Sequence, residues 1–167
     1  MITRRTVCLF VVTIATAVVA GSGAQAQPKA PTLKASFVMN KTDGKLAHVR
    51  ALKTILDDGS KKTPGYAVLI SAKPAEGDIL PWRTAEAKER GSFIYLLLEA
   101  NGDVWVAQLA HTVKSGSSIG VVTEVKKVAF AVKDGRISGQ YRTNGEESFF
   151  DDRFTIDLTF DAPLEGK

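Results

Sequence analysis

Apolar and polar positions alternate most cleanly from Arg153 to Asp161. Phe154, Ile156, Leu158 and Phe160 fall on one face, and Arg153, Thr155, Asp157, Thr159 and Asp161 on the other. Successive side chains of a strand point to opposite faces, so this period of two predicts a half-buried β-strand.

Two hairpins follow from the same rule. Asp134-Gly135 suits a two-residue turn with positive φ at both positions. It pairs Lys133 with Arg136, Val132 with Ile137, Phe130 with Gly139 and Val128 with Tyr141, placing Val128, Phe130, Val132, Ile137 and Tyr141 on one face. Phe130 is expected to cover the bare backbone of Gly139. Asn101-Gly102 predicts a second two-residue turn, pairing Leu98 with Trp105, Leu96 with Ala107 and Ile94 with Leu109.

The residues between those pairs, Phe93, Tyr95, Leu97 and Val106, are apolar as well. A strand apolar on both faces is central and covered on both sides. Thr84 to Arg90 reads as two helical turns ending at Gly91 and supplies that cover, with Ile79, Leu80 and Trp82 as its apolar contacts. Further strand candidates are Leu33 to Met39, Lys45 to Leu56, Tyr66 to Ser71 and Ile119 to Val125, the second broken by a bulge. The sum is an all-β fold of about eight strands with one short helix. An antiparallel meander of this size closes as a β-sandwich or a small barrel, and the sandwich is the preferred reading. A strand apolar on both faces does not suit an outer-membrane barrel, whose strands alternate lipid-facing and lumen-facing residues.

The first 26 residues stand apart from this pattern. Arg4 and Arg5 precede a largely apolar run from Val7 to Ala20, and a small, polar stretch ends in Ala24-Gln25-Ala26. That order is a secretory signal peptide cleaved near Ala26, and the run is too short to span a bilayer. The paired arginines fit either the general or the twin-arginine export route. The expected location is periplasmic or secreted. Residues 27–32, with two prolines, read as a flexible leader, and 33–167 as a single β domain.

Removing 26 of 167 residues leaves 141, and losing two arginines with no acid takes the net charge from +4 to +2. Interspersed charges of that balance make no footprint for nucleic acid. The single cysteine, Cys8, lies in the signal, so the remainder has no disulfide, thiol nucleophile or thiolate metal site. A chain of 141 residues still buries roughly two-thirds of its unfolded surface, so its core suffices.

Candidate chemistry is sparse. Gly116-Ser117-Ser118-Ile119-Gly120 matches the hydrolase elbow motif, but no helix pattern and no later histidine follow, so it reads as a turn. His48 and His111, the only histidines, fall outside recognised ligand spacings; His111 reads as a strand-end residue capped by a hydrogen bond. Asn144, Glu146, Glu147, Asp151 and Asp152 offer oxygen ligands around Phe149-Phe150, without the EF-hand spacing. A solvated loop with one or both phenylalanines in the core is the simpler reading. No metal or cofactor is expected. Trp82 and Trp105 are candidate walls of a carbohydrate or apolar pocket. Trp82 and Arg83, in a loop, are the proposed ligand-binding pair, against the alternative that Trp82 packs the short helix onto the sheet.

One resemblance adds to this. Tyr66-Ala67-Val68-Leu69-Ile70-Ser71-Ala72-Lys73-Pro74, Asp103-Val104-Trp105, Leu109-Ala110-His111, Lys133-Asp134-Gly135-Arg136-Ile137-Ser138-Gly139, Phe149-Phe150-Asp151 and Asp157-Leu158-Thr159-Phe160-Asp161-Ala162-Pro163 occur in an order that resembles a loose group of exported bacterial β-rich proteins. It implies export and a β fold, and carries over no activity or site residue. The functional expectation is an exported, non-enzymatic module that binds a protein, glycan or small ligand. The alternatives are a small-ligand carrier with a barrel interior and a metal-dependent hydrolase using His48, His111 and acids from separate strands.

Overall fold

A computed structural model describes residues 29–113 and 124–166. Ten strands run in chain order: β1 (Thr32–Met39), β2 (Thr42–Asp43), β3 (His48–Asp57), β4 (Lys62–Ser71), β5 (Phe93–Glu99), β6 (Val104–Ala110), β7 (Lys126–Lys133), β8 (Arg136–Arg142), β9 (Glu147–Phe149) and β10 (Asp152–Glu165). The surplus over the expected eight is β2 and β9, each too short to show a period. Ile119 to Thr123 lies outside the described residues, and Glu124 and Val125 precede β7 without joining it.

The strands form one ladder in two halves. In the first, β10 lies between β1 and β8, with β2 and β7 outermost and β9 beside the start of β10. In the second, β3, β4, β5 and β6 make the expected antiparallel meander. The halves join where the end of β10 leaves β1 and pairs in parallel with β3, Leu164 opposite Ala51 and Glu165 opposite Leu52. That parallel step departs from a plain meander. The ladder does not close: β6 and β7, at opposite ends, are not paired. The barrel alternative is thereby corrected, and with it the interior that a carrier would need.

The halves fold face to face over one core. Phe37 and Met39 of β1, Phe154 to Phe160 of β10, and Ile137 and Tyr141 of β8 meet Val68, Ile70, Ile94, Leu96, Leu98 and Leu109. The predicted inward face of β10 is therefore the buried one. Val68, Leu96 and Ala107 stand in register across β4, β5 and β6.

A second cluster covers the outer face of β5. Ile79, Trp82 and Ala87 pack on Phe93, Tyr95 and Leu97, and Leu80 is left 37% exposed. The cover is a 3₁₀ turn (Leu80–Thr84) followed by a single helical turn, α1 (Ala87–Arg90), rather than one helix from Thr84. The extended backbone of Ala85 and Glu86 separates them. Gly91, with φ +80°, ends α1 as expected.

Both hairpins differ in detail from the simplest register. The Asp134-Gly135 turn has positive φ at both residues and pairs Val132 with Ile137. Further along, a bulge between Lys127 and Ala129 sets Lys127, not Val128, opposite Tyr141. The space above Gly139 is taken by the stacked rings of Tyr141 and Phe160, which a Cβ there would meet at 2.5 and 2.8 Å. Phe130 instead lies against Gly102, in the other half. Before β1, Arg136 ties down the leader by donating to the Lys29 and Ala30 carbonyls at 2.6 and 3.3 Å.

Candidate functional site

The turn between β5 and β6 is one residue longer than Asn101-Gly102 alone implies. Glu99 N–H donates to the Asp103 carbonyl and Gly102 N–H to Glu99, both at 2.9 Å, enclosing Ala100, Asn101 and Gly102. Gly102 takes the left-handed position, φ +84°, that closes such a turn. Leu98 then faces Val104, and a bulge restores the pairing of Leu97 with Val106 and Leu96 with Ala107.

The surplus residue in that bulge is Trp105. A bulge re-aims the side chain that it carries. Val104 takes the inward place that Trp105 would have filled, and Trp105 packs half-buried on the outer cluster instead. It lines a cleft of about 540 Å³. Leu56 and Pro64 add apolar wall, and Asp58, Lys61, Thr63, Glu99 and Asn101 form the rim.

Both turns at this rim are tightly held. In the β3–β4 turn, Asp58 Oδ1 accepts from Ser60 N–H (2.8 Å), Ser60 Oγ (2.8 Å) and Lys61 N–H (2.7 Å). Those donors, led by the Lys61 N–H, hold the carboxyl below its ordinary range, so it is ionised. Asp57 receives Gly59 N–H at 2.9 Å. The β5–β6 turn is clamped from the other half. Tyr141 Oη donates to the Gly102 carbonyl (2.8 Å), and Lys127 Nζ donates to the Asn101 carbonyl (3.0 Å) and pairs with Asp103 (2.7 Å). Lys127 keeps Asp103 ionised, and burial pushes the Tyr141 hydroxyl far above the usual phenol range. The β7 bulge that sets Lys127 beside Tyr141 makes this clamp possible.

Sequence reasoning singled out Trp105 as a possible pocket wall but set it in the inner register. Only the extra turn residue, Ala100, distinguishes the two outcomes, and nothing about an alanine announces a bulge.

The other candidates lie apart. Trp82 is 2% exposed, edge-on to Phe93 at 5.3 Å, with the Arg90 guanidinium 5.1 Å from its ring centroid. No face of it is open to a ligand, and its role is the packing of the covering segment onto the sheet. Arg83 is exposed beside it. His111 is 1% exposed, edge-on to Phe37 at 5.1 Å, and its Nδ1 accepts the Val113 N–H at 3.1 Å. Burial pushes its imidazole below the usual range, and the Thr42 carbonyl and Asp43 carboxylate favour the cation without overcoming that. His48 is exposed at the start of β3. Three strand spacings, about 14 Å, separate the two histidines along one end of the ladder.

The acids near the β9–β10 turn disperse. Asp152 accepts from Asn40 Nδ2 at 2.9 Å, and Glu146 pairs with Arg153 at 3.2 Å. Phe149 packs against the core, whereas Phe150, at φ +52°, is 86% exposed. Among the described residues no group of three or more His, Cys, Asp or Glu is placed to hold a metal ion. The Gly116–Gly120 motif lies outside the described residues.

A second cleft, of about 280 Å³, lies over the β3–β10 seam. Its arginine and glutamate satisfy each other: Arg50 grips Glu165 with two bonds (2.7 and 2.5 Å) and donates to the Ala75 and Gly77 carbonyls. That arrangement is a structural clasp.

The class of protein defined so far is an open, two-layered all-β domain with an aromatic cleft between two turns. No family model, no curated protein and no solved structure matches the chain. No described helix is long and apolar enough to cross a membrane.

Proposed function

We propose that this protein is an exported, non-enzymatic binding module, and that the Trp105 cleft is its ligand site. The observation that carries the reading is the turned-out, half-buried Trp105, which lines a cleft between two turns braced by hydrogen bonds. Stiff turns lower the ordering cost of binding, because little further entropy is lost when the ligand arrives. Binding residues concentrate in such loops on rigid scaffolds.

Catalysis finds less support. His111 is buried and neutral, and His48 is about 14 Å away by strand spacing. A general base has to come within hydrogen-bond reach of its proton. Export rests on the apolar run and the Ala24-Gln25-Ala26 site.

The test is native mass spectrometry of the protein purified from its own cell envelope, with fresh envelope extract added back. A stoichiometric adduct that leaves intact on gentle activation is expected. A chemically altered adduct overturns the non-enzymatic reading, and a bare chain at every extract concentration overturns the small-ligand reading.

A further inference from the structure

We infer that the Trp105 cleft is a saccharide site, seating one pyranose ring of a neutral oligosaccharide against the indole. The inference rests on the binding-module reading and adds the class of ligand.

A pyranose has a face of C–H groups and a perimeter of hydroxyls. The cleft has the matching layout. Trp105, Leu56 and Pro64 supply apolar surface, and Asp58, Lys61, Thr63, Glu99 and Asn101 line the same cleft with polar groups. Hydroxyls need both donors and acceptors, and the rim offers both.

All three bonds to Asp58 fall on Oδ1, which leaves Oδ2 as an acceptor. Among the described residues no hydrogen bond or ion pair engages the Glu99 carboxylate, the Lys61 ammonium or the Thr63 hydroxyl. The seam cleft differs in this respect, since its arginine and glutamate are already spent on each other.

Charge argues for a neutral guest. Two carboxylates and one ammonium line the cleft, so a guest of either sign meets a like charge. A cation over the indole would gain from the ring's negative face, but Lys61 stands against it. An anion would meet Asp58 and Glu99. A polyol uses all three groups at once. The volume of about 540 Å³ lies within the range of small-molecule sites and leaves room beyond one ring.

The chain has two tryptophans, which makes the test internally controlled. The Trp105 indole N–H signal reports the cleft, and the buried Trp82 signal reports the fold. The purified chain is titrated with maltotetraose, cellotetraose and the fully N-acetylated chitotetraose, each to about 10 mM, a range that captures millimolar binding. At least one is expected to shift the Trp105 signal while Trp82 stays fixed. Trp105→Ala should weaken that binding by about tenfold or more, as loss of an anchoring aromatic does. Trp105→Phe should retain part of it, and Glu99→Gln should weaken it with Trp82 unmoved.

No shift of Trp105 with any of the three overturns the saccharide assignment. So does a shift produced by choline and by none of the sugars. If the envelope adduct persists in Trp105→Ala, the saccharide site falls and the binding module survives. If the sugar binds at Trp105 and is released shortened, the site stands and the non-enzymatic reading falls.

Discussion

At the scale of the residue, His111 shows how burial converts chemistry into stability. Its imidazole titrates below the usual value when folded, so between that point and about pH 6.5 only the unfolded chain takes up the proton. Stability is therefore at full strength above about pH 6.5 and declines as the pH falls through that value. Urea unfolding at about pH 7.5 and 5.5 should show the decline, and His111→Gln should flatten it. The ionised Asp58, Asp103 and Asp161 act in a separate window, losing their contribution only as the pH falls through the range below about 4. Tyr141 makes a different residue-scale prediction. Tyr141→Phe leaves the Gly102 carbonyl without its partner and should cost about 1–2 kcal/mol in urea unfolding. Gly139→Ala should cost about 1–3 kcal/mol, because the new methyl enters the space of the Tyr141 and Phe160 rings.

At the scale of the element, the β5–β6 hairpin holds most of the functional argument. Deleting Asp103 keeps the three-residue turn, moves Val104 opposite Glu99 and so pairs Leu98 with Trp105, which removes the bulge and turns the indole into the inner core. The expected result is blue-shifted tryptophan emission, loss of iodide quenching, and a stability loss of about 1–3 kcal/mol from overpacking. Where sequence reasoning succeeded, the signal was periodic and local. The faces of β10 and the Asp134-Gly135 turn are examples, since side-chain alternation and positive φ are properties of a few neighbouring residues. Where it fell short, two distant segments decided together. The bulge at Val128 brings Lys127 to a turn some 25 residues earlier in the chain. The vacancy over Gly139 is filled by Phe160 from another strand. Trp105 was visible as an aromatic but not as an outward-facing one, because its direction depends on a turn length that alternation alone does not report.

At the scale of the whole molecule, the Arg50–Glu165 clasp closes the parallel step that joins the halves. Arg50→Leu removes a charge-assisted pair and two carbonyl contacts. It should cost about 1–3 kcal/mol, with solvent at the cleft holding the figure toward the lower end. Pairings such as Thr32 with Asp161 join residues from far ends of the described chain, and such topology folds slowly. Stopped-flow refolding followed by Trp82 emission should fall in the millisecond-to-second range. The placement of β10 carries a further consequence. The strand that β1, β3, β8 and β9 all lean on is made after every one of them. During synthesis the earlier strands have no central member to assemble around, and the first half of the ladder stays open until β10 arrives. A chain built in that order remains threadable for as long as it is being made, so the timing of its assembly is written into the order of its strands.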